Sequence, residues 1–380
     1  MNQGLKSLAM LALAILLLLS LGRAASIEVK PGESIQAAID GAVSGDEIIV
    51  QSGAYKESLN ITKPLSMIGI GHPQIDGGSA DSAMLLYADG VSISGFDITS
   101  TRRTGIYILS NRNTLQNNTI SGCLDGIFLE GSASNTVAFN DINNNTAGIF
   151  LFSSDGNVIS NNSIKDNHIN EESDCGIALV CSRDNIIQYN HLMNNGDSSL
   201  SLRSSVNNAV LENQIISNDW YGISLAESSN KNLIEKNSVS GNKDAGIYLD
   251  GSKENIIRDN SAWNNSRGIL LSYDSNDNLL RGNRLTSNQK GVHLASHSSN
   301  NTVENNTAAE NGYGIYLSFS CGWNLVFANH LIDNDYNAYD LGKSNRWDNG
   351  TTGNHYSGLG ETYYIPGGTG VDRHPLAAPG

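Results

Sequence analysis

The sequence predicts an all-β chain wound as a parallel β-helix, and three observations carry that prediction. A short apolar run opened by glycine recurs: GIYIL at Gly105, GIFLE at Gly126, GIFLF at Gly148, GIALV at Gly176, a degenerate SLSLR at Ser199, then GISLA at Gly222, GIYLD at Gly246, GILLS at Gly268, GVHLA at Gly291 and GIYLS at Gly314. Asparagines five residues apart follow each run, from Asn113/Asn118 to Asn324/Asn329. Inside a unit the apolar spacing is two: Ile247 and Leu249 point one way and Tyr248 the other, while Ile257 and Ala262 supply inward positions on two further short strands. The repeats are spaced by 22 to 24 residues from Ser199 onward, a period that means stacked supersecondary units. Three short strands joined by Asn, Ser and Gly turns make one coil, and coils stack about 4.8 Å apart. At each bend an asparagine tolerates left-handed backbone, and its amide can bond the same amide in the coils above and below.

The elements follow in chain order. Lys6, the apolar run Leu8 to Leu21 and the small residues Ala24 and Ala25 read as a secretory signal peptide over residues 1–25. The apolar run is short of the roughly 20 residues a spanning helix needs, and no later segment could span a membrane. An uncapped stack of strands would pair with another chain. SIQAAIDGA at 34–42 therefore reads as a capping helix with Ser34 as N-cap and Ile35, Ala38, Ile39 and Ala42 inward. It sits within an N-terminal segment, 26–100, of cap and irregular first coils; regular coils fill 101–335, and a Gly- and aromatic-rich tail, 336–380, closes the other end.

Removing Lys6 and Arg23 with the leader leaves 21 basic residues of 23 against 38 acids, a formal charge of −17. That surface repels phosphate backbones, so nucleic acid is excluded as a partner. Cys123, Cys175, Cys181 and Cys321 are too few for an extracellular disulfide framework. Only Cys123 and Cys175 could meet, so at least two free thiols are expected.

The IQAAID, GDEIIV and GAYKE opening, the NxIxxNxI coils and the WDNG, GNHYS, YYIPGG and VDRHPL tail together resemble the NosD-like proteins, a branch of the pectin-lyase-like superfamily. The resemblance spans nearly all of the chain after the leader. It implies a right-handed, single-stranded parallel β-helix at the cell surface, in the extracellular space or in a periplasm. It implies no one activity, because the superfamily holds lyases, hydrolases, epimerases and proteins without known catalysis.

Chemistry is expected on the outward position of the glycine strand, which reads Tyr107, Phe128, Phe150, Ala178, Ser201, Ser224, Tyr248, Leu270, His293, Tyr316. Exposed rings toward both ends with small residues between them suit the apolar faces of sugars. Tyr107, Phe128, Phe150, Trp220, Tyr221, Tyr248, His293 and Tyr316 are the candidate ligand-binding residues, and a polysaccharide or cell-surface glycan is the expected partner. The insertion KDNHINEESD, which stretches one repeat to 28 residues, lies beside the same ribbon. For catalysis, Arg203 and Asp250 stand at equivalent positions two coils apart, with Asp174 at the other edge. A lyase, hydrolase or epimerase is the alternative reading they support. A third, a copper accessory role implied by the family, needs clustered His, Met or Cys, and the histidines are dispersed. No cofactor is expected; calcium is the alternative, for the oxygen-rich SYDSNDN at 272–278.

Overall fold

Strands of three to six residues are too short to be stable alone, so each must find its core and its hydrogen bonds in the neighbouring coils. The computed structural model, which describes residues 24–100, 103–168, 175–357 and 362–377, forms a right-handed parallel β-helix of about fourteen turns. The 1–23 part of the expected signal peptide lies outside the described residues. A long-strand sheet holds 13 parallel strands from Leu59–Ile61 to Tyr336–Asp340. A second sheet holds 14 strands, Ser26–Val29 to Leu325–Phe327, and a third holds 14, Ala54–Tyr55 to His355–Tyr356. Ile223, Ile247, Ile269 and Val292 are register partners in successive coils. Facing them run the columns Ile234, Ile257, Leu280 and Val239, Ala262, Leu285. All ten are fully buried, as the period-two reading requires.

The three corners between these sheets are each held by an asparagine ladder. Asn237 shows the bonding. Its Oδ1 accepts from both the backbone N–H and the Nδ2 of Asn213, each at 3.0 Å. Its Nδ2 donates to Asn260 Oδ1 at 3.0 Å and to the Val210 carbonyl at 2.8 Å. The third ladder, from Asn145 through Asn167, Asn195, Asn218, Asn242, Asn265 and Asn288 to Asn311 and Asn334, goes beyond the expected pairs. A shorter serine ladder runs beside the first, Ser132 N–H donating to Ser154 Oγ and so on to Ser275. The expected left-handed asparagine is corrected. The ladder asparagines are not left-handed; the residue before the second one is, as at Phe139 (φ 57°), Lys236 (φ 56°), Asp259 (φ 56°) and Ala328 (φ 55°). The strained position faces solvent, so its side chain is free to vary, whereas the amide that bonds must be buried.

The repeat glycine serves close approach. A Cβ on Gly246 would stand 2.8 Å from the Gly268 carbonyl oxygen and 3.1 Å from Asn265 Nδ2. Where Ser199 replaces it, the hydroxyl joins the ladder and donates to Asn218 Oδ1 at 2.7 Å. The insertion does not break the ladders either, since Asn157 still donates to Asn185 across 28 residues; its residues 169–174 lie outside the described chain.

Both ends are closed by side chains. The helix Ile35–Gly41 has Ser34 as its N-cap, and Glu57 accepts from the Ile35 and Gln36 N–H groups. Lys63 Nζ donates to the Ile39, Asp40 and Ala42 carbonyls at its other end. At the C-terminus the tail buries Trp347, Tyr356 and Ile365 and places two carboxylates at the ladder ends. Asp340 accepts from Asn345 Nδ2, the Gly342 N–H and Trp347 Nε1, each within 2.9 Å. Asp372 accepts from the Asn354 N–H at 2.6 Å, Asn354 Nδ2, the Tyr356 hydroxyl and the His374 N–H.

Asn237→Ala should cost on the order of 3 kcal/mol, because it strands buried partners in both neighbouring coils. Arg258→Ala, which removes an exposed pair with Glu235, should cost no more than about 0.5 kcal/mol. Urea midpoints read by circular dichroism compare the two; equal midpoints would contradict the ladder.

Candidate functional site

Register places the expected ribbon in one column: Tyr107, Phe128, Phe150, Ala178, Ser201, Ser224, Tyr248, Leu270, His293 and Tyr316 are successive partners, and Tyr339 extends it. The expected exposure of its rings is corrected. Tyr248 is 8% exposed and His293 7%. Tyr107, Phe128 and Phe150 stack with centroids 5.0 Å apart, so each covers its neighbour's face. Tyr221 stacks on Tyr248 at 4.4 Å, and Tyr316 on Tyr339 at 5.5 Å. Parallel strands set rings one coil apart, close to stacking distance, and like rings therefore close on each other. Trp220, by contrast, is 54% exposed beside Tyr221.

The residue just before the glycine position forms a second outward column: Tyr221, Ala245, Arg267, Lys290 and Tyr313, continued by Tyr336, which precedes Asn337. Here the periodicity breaks. The turn from the third ladder to the glycine holds Asp219-Trp220-Tyr221 and Lys243-Asp244-Ala245, but only Ser266-Arg267, Gln289-Lys290 and Gly312-Tyr313 in the next coils. Beside these shorter turns, a length that the coils at Gly126 and Gly148 share, lies an open depression of about 790 Å³. Asn242, Asn264, Asn265, Asn288, Ser266 and Gln289 line it, with Lys243, Glu310 and Tyr313 among its bounding side chains. Tyr336 stacks on Tyr313 at 5.0 Å and covers one of its faces. Arg267 pairs with Asp244, and Lys290 Nζ lies 4.0 Å over the Tyr316 ring. Burial, and then the Arg267 charge, hold the Lys290 amine below its ordinary pKa. Burial, with Lys290 and Arg267 adding to it, pushes His293 down to about 3. Burial and Asp250 raise the Tyr248 phenol.

Arg267, Lys290, Tyr313, Lys243 and Gln289 were not among the expected site residues. Their sign in the sequence is the change from NDWYG and NKDAG to NSRG, NQKG and NGYG.

The candidate catalytic pair does not meet. Arg203 pairs with Glu227, and Asp250 accepts from the Tyr248 hydroxyl at 3.2 Å. Asp174 lies outside the described residues. In the 272–278 loop two amide oxygens have protein partners: Asn276 Oδ1 accepts from the Ser299 N–H and Asn278 Oδ1 from Asn255. Cys123 and Cys321 are buried free thiols and Cys181 an exposed one, so the conceivable Cys123–Cys175 bridge is not formed. Cys123 stands at the head of the third ladder, its N–H donating to Asn145, and Cys321 takes the serine-ladder position after Ser298.

Two family models match the chain: that of the right handed beta helix region over residues 81–239, and that described as periplasmic copper-binding protein (NosD) over residues 220–363. Each model covers less than half of the chain, so the middle of the chain is similar to right-handed β-helix regions and its C-terminal part to NosD. Among curated proteins no sequence matches it. Of solved structures, the Dettilon tailspike protein is 14% identical, with 84% of this chain and 70% of that one covered at a TM-score of 0.63. The A-module of the Azotobacter vinelandii mannuronan C-5 epimerase AlgE6 is also 14% identical, covering 83% and 93% at 0.59. The DFA-IIIase of Arthrobacter chlorophenolicus A6 is 13% identical, covering 84% and 93% at 0.52. At these identities the likeness is one of fold. Copper, which the NosD description implies, does not fit the donors present. Among the described residues no three His, Cys, Asp or Glu side chains converge; Met67 and Met84 are buried in the core, and Met193 shares the outward face of its strand with His191 alone. His191 and His330 share one column of the third sheet, six coils apart.

Tyr248→Ala should cost about 2–4 kcal/mol, because it empties a buried stack, while Trp220→Ala should stay within about 0.5 kcal/mol. Thermal or urea midpoints of the two variants test this. A thiol reagent should label Cys181 in the folded protein and reach Cys123 and Cys321 only in denaturant, since burial raises their thiols to about 12 and about 11. Rapid labelling of either buried thiol under native conditions would contradict the packing.

Proposed function

We propose that the protein is an exported, surface-associated β-helix that binds a polysaccharide along its long-strand face. The depression between Lys243 and Tyr313 carries this reading. Its amides and hydroxyls can both donate to and accept from sugar hydroxyls, and Tyr313 offers an aromatic wall to the apolar face of a ring. Trp220, exposed beside Tyr221, extends the aromatic surface toward the N-terminal coils. The fold supports the reading through its neighbours, among them a mannuronan epimerase module, and the apolar leader at 8–21 supports export. A binding role asks only for a fixed surface, which stacked coils provide without a moving part.

A glycan array, followed by affinity electrophoresis in the polymers that score, tests this. Tyr313→Ala should weaken binding by about ten-fold or more with the denaturation midpoint little changed. Unchanged migration of that variant in every polymer that retards the wild type would refute the assignment. Prolonged incubation of the wild type with the best polymer separates binding from turnover: unsaturated or new reducing ends would establish an enzyme.

A further inference from the structure

Asparagine fills two kinds of position at the corners of the coils. Those of the ladders are bonded from coil to coil, whereas the residue just before a ladder asparagine is left-handed and, wherever it too is asparagine, exposed, as at Asn117 (φ 53°) and Asn305 (φ 54°). In the first two ladders the residue two places after a ladder asparagine points into the core, as Val303 after Asn301 and Leu331 after Asn329. An Asn-x-Ser or Asn-x-Thr triplet, the acceptor of an N-linked glycan, can start there only by burying a hydroxyl. From the preceding, exposed position the same triplet ends on an outward residue. The eight triplets of the chain start at Asn60, Asn117, Asn144, Asn161, Asn264, Asn300, Asn305 and Asn349, and all eight acceptors are exposed. Six of them immediately precede a ladder asparagine.

The backbone does not ask for the two halves of these triplets together. Ladders of eleven, eleven and nine asparagines make thirty-one corners among the described residues. Asparagine precedes the ladder residue at eight corners, the six above with Asn194 and Asn207, and Ser or Thr stands two places on at six of the eight. At the other twenty-three, where residues such as Phe139, Tyr189 and Lys236 take the same bend, Ser or Thr stands there at four: Thr114, Thr136, Ser238 and Ser261. The hydroxyls of Thr119, Ser163, Thr302 and Thr307 make no hydrogen bond among the described residues, so packing does not explain the association. In the tail, Asn349 Oδ1 accepts from the Thr351 N–H and hydroxyl, each at 3.0 Å, and from the Thr352 N–H at 2.9 Å, which leaves its Nδ2 to solvent.

We infer that the protein is N-glycosylated on these exposed asparagines and on no ladder asparagine. In the transfer, asparagine Nδ2 bonds to the anomeric carbon of an oligosaccharide carried on a lipid phosphate. The bond from that carbon to the phosphate oxygen breaks, the amide proton passes to a base of the transferring enzyme, and the lipid phosphate leaves. The inference rests on the export in the proposed function and not on polysaccharide binding. Asn264 also lines the depression, so a glycan attached there would stand where a polymer binds.

The test is intact mass and glycopeptide fragmentation of the full chain, purified from its own organism with cytoplasmic and exported fractions kept apart. The exported protein should outweigh its sequence by whole oligosaccharides, with sugar on peptides that carry the acceptor asparagines. Asn305→Gln and Thr307→Ala should each remove the glycan of that corner, and Thr307→Ser should keep it. Asn207 is exposed and left-handed (φ 58°) but is followed two places on by Ala209; Ala209→Thr should add a glycan to it. Unchanged denaturation midpoints for these outward substitutions exclude misfolding as the cause. An exported chain bare at all eight asparagines, sugar confined to Ser and Thr hydroxyls, or sugar on Asn207 of the wild type would overturn the inference and leave export standing. A chain found only in the cytoplasm would overturn both.

Discussion

The asparagine amide is the group on which this structure turns, because it uses all its hydrogen-bonding capacity between coils. Its oxygen takes two hydrogens from the coil before it, and its nitrogen gives one forward and one back, as at Asn237. A buried side chain saturated in this way has no reason to leave its column. The ladders thus do at the corners what the sheets do along the flats. A fourteen-turn stack can also absorb a six-residue lengthening of one coil or a serine in place of a glycine, since Asn157–Asn185 and Ser199–Asn218 still close.

A repeated coil makes every outward position a column, and a column of like residues tends to satisfy itself. Rings stack on rings, and Arg258 finds Glu235 one coil away. Binding chemistry is therefore most visible where the repetition fails. A hollow opens beside the third ladder between Asn242 and Tyr313, lined by asparagine, serine and glutamine side chains with the Glu310 carboxylate among them.

The fold was legible because its constraints repeat: one glycine, an Ile-x-Leu pair and two asparagines per coil suffice to place three strands. Ser34 and the apolar spacing after it located the capping helix for the same reason of local pattern. The third ladder is as regular, five residues beyond the second. Its first position, though, holds Cys123, and several of its members follow another asparagine, as Asn145 follows Asn144, which blurs the column. Exposure was not legible. Whether Tyr248 faces water depends on Tyr221, a neighbour through space that belongs to the adjacent coil. The depression is built from side chains of four successive coils, Asn242 to Tyr313, and alignment on the glycine alone does not show which of them leave a hollow.

The carboxylates at the end of the ladders have a consequence for how such a rod can change length. Each amide receives from the coil before it and gives to the one after, whereas Asp340 and Asp372 receive from Asn345 and Asn354 and have no hydrogen to pass on. A coil appended beyond them would meet acceptors with acceptors. A coil copied into the interior meets a donor on one side and an acceptor on the other and fits at once. Genes for rods of this kind should therefore lengthen by duplication in the middle, with both ends inherited unchanged.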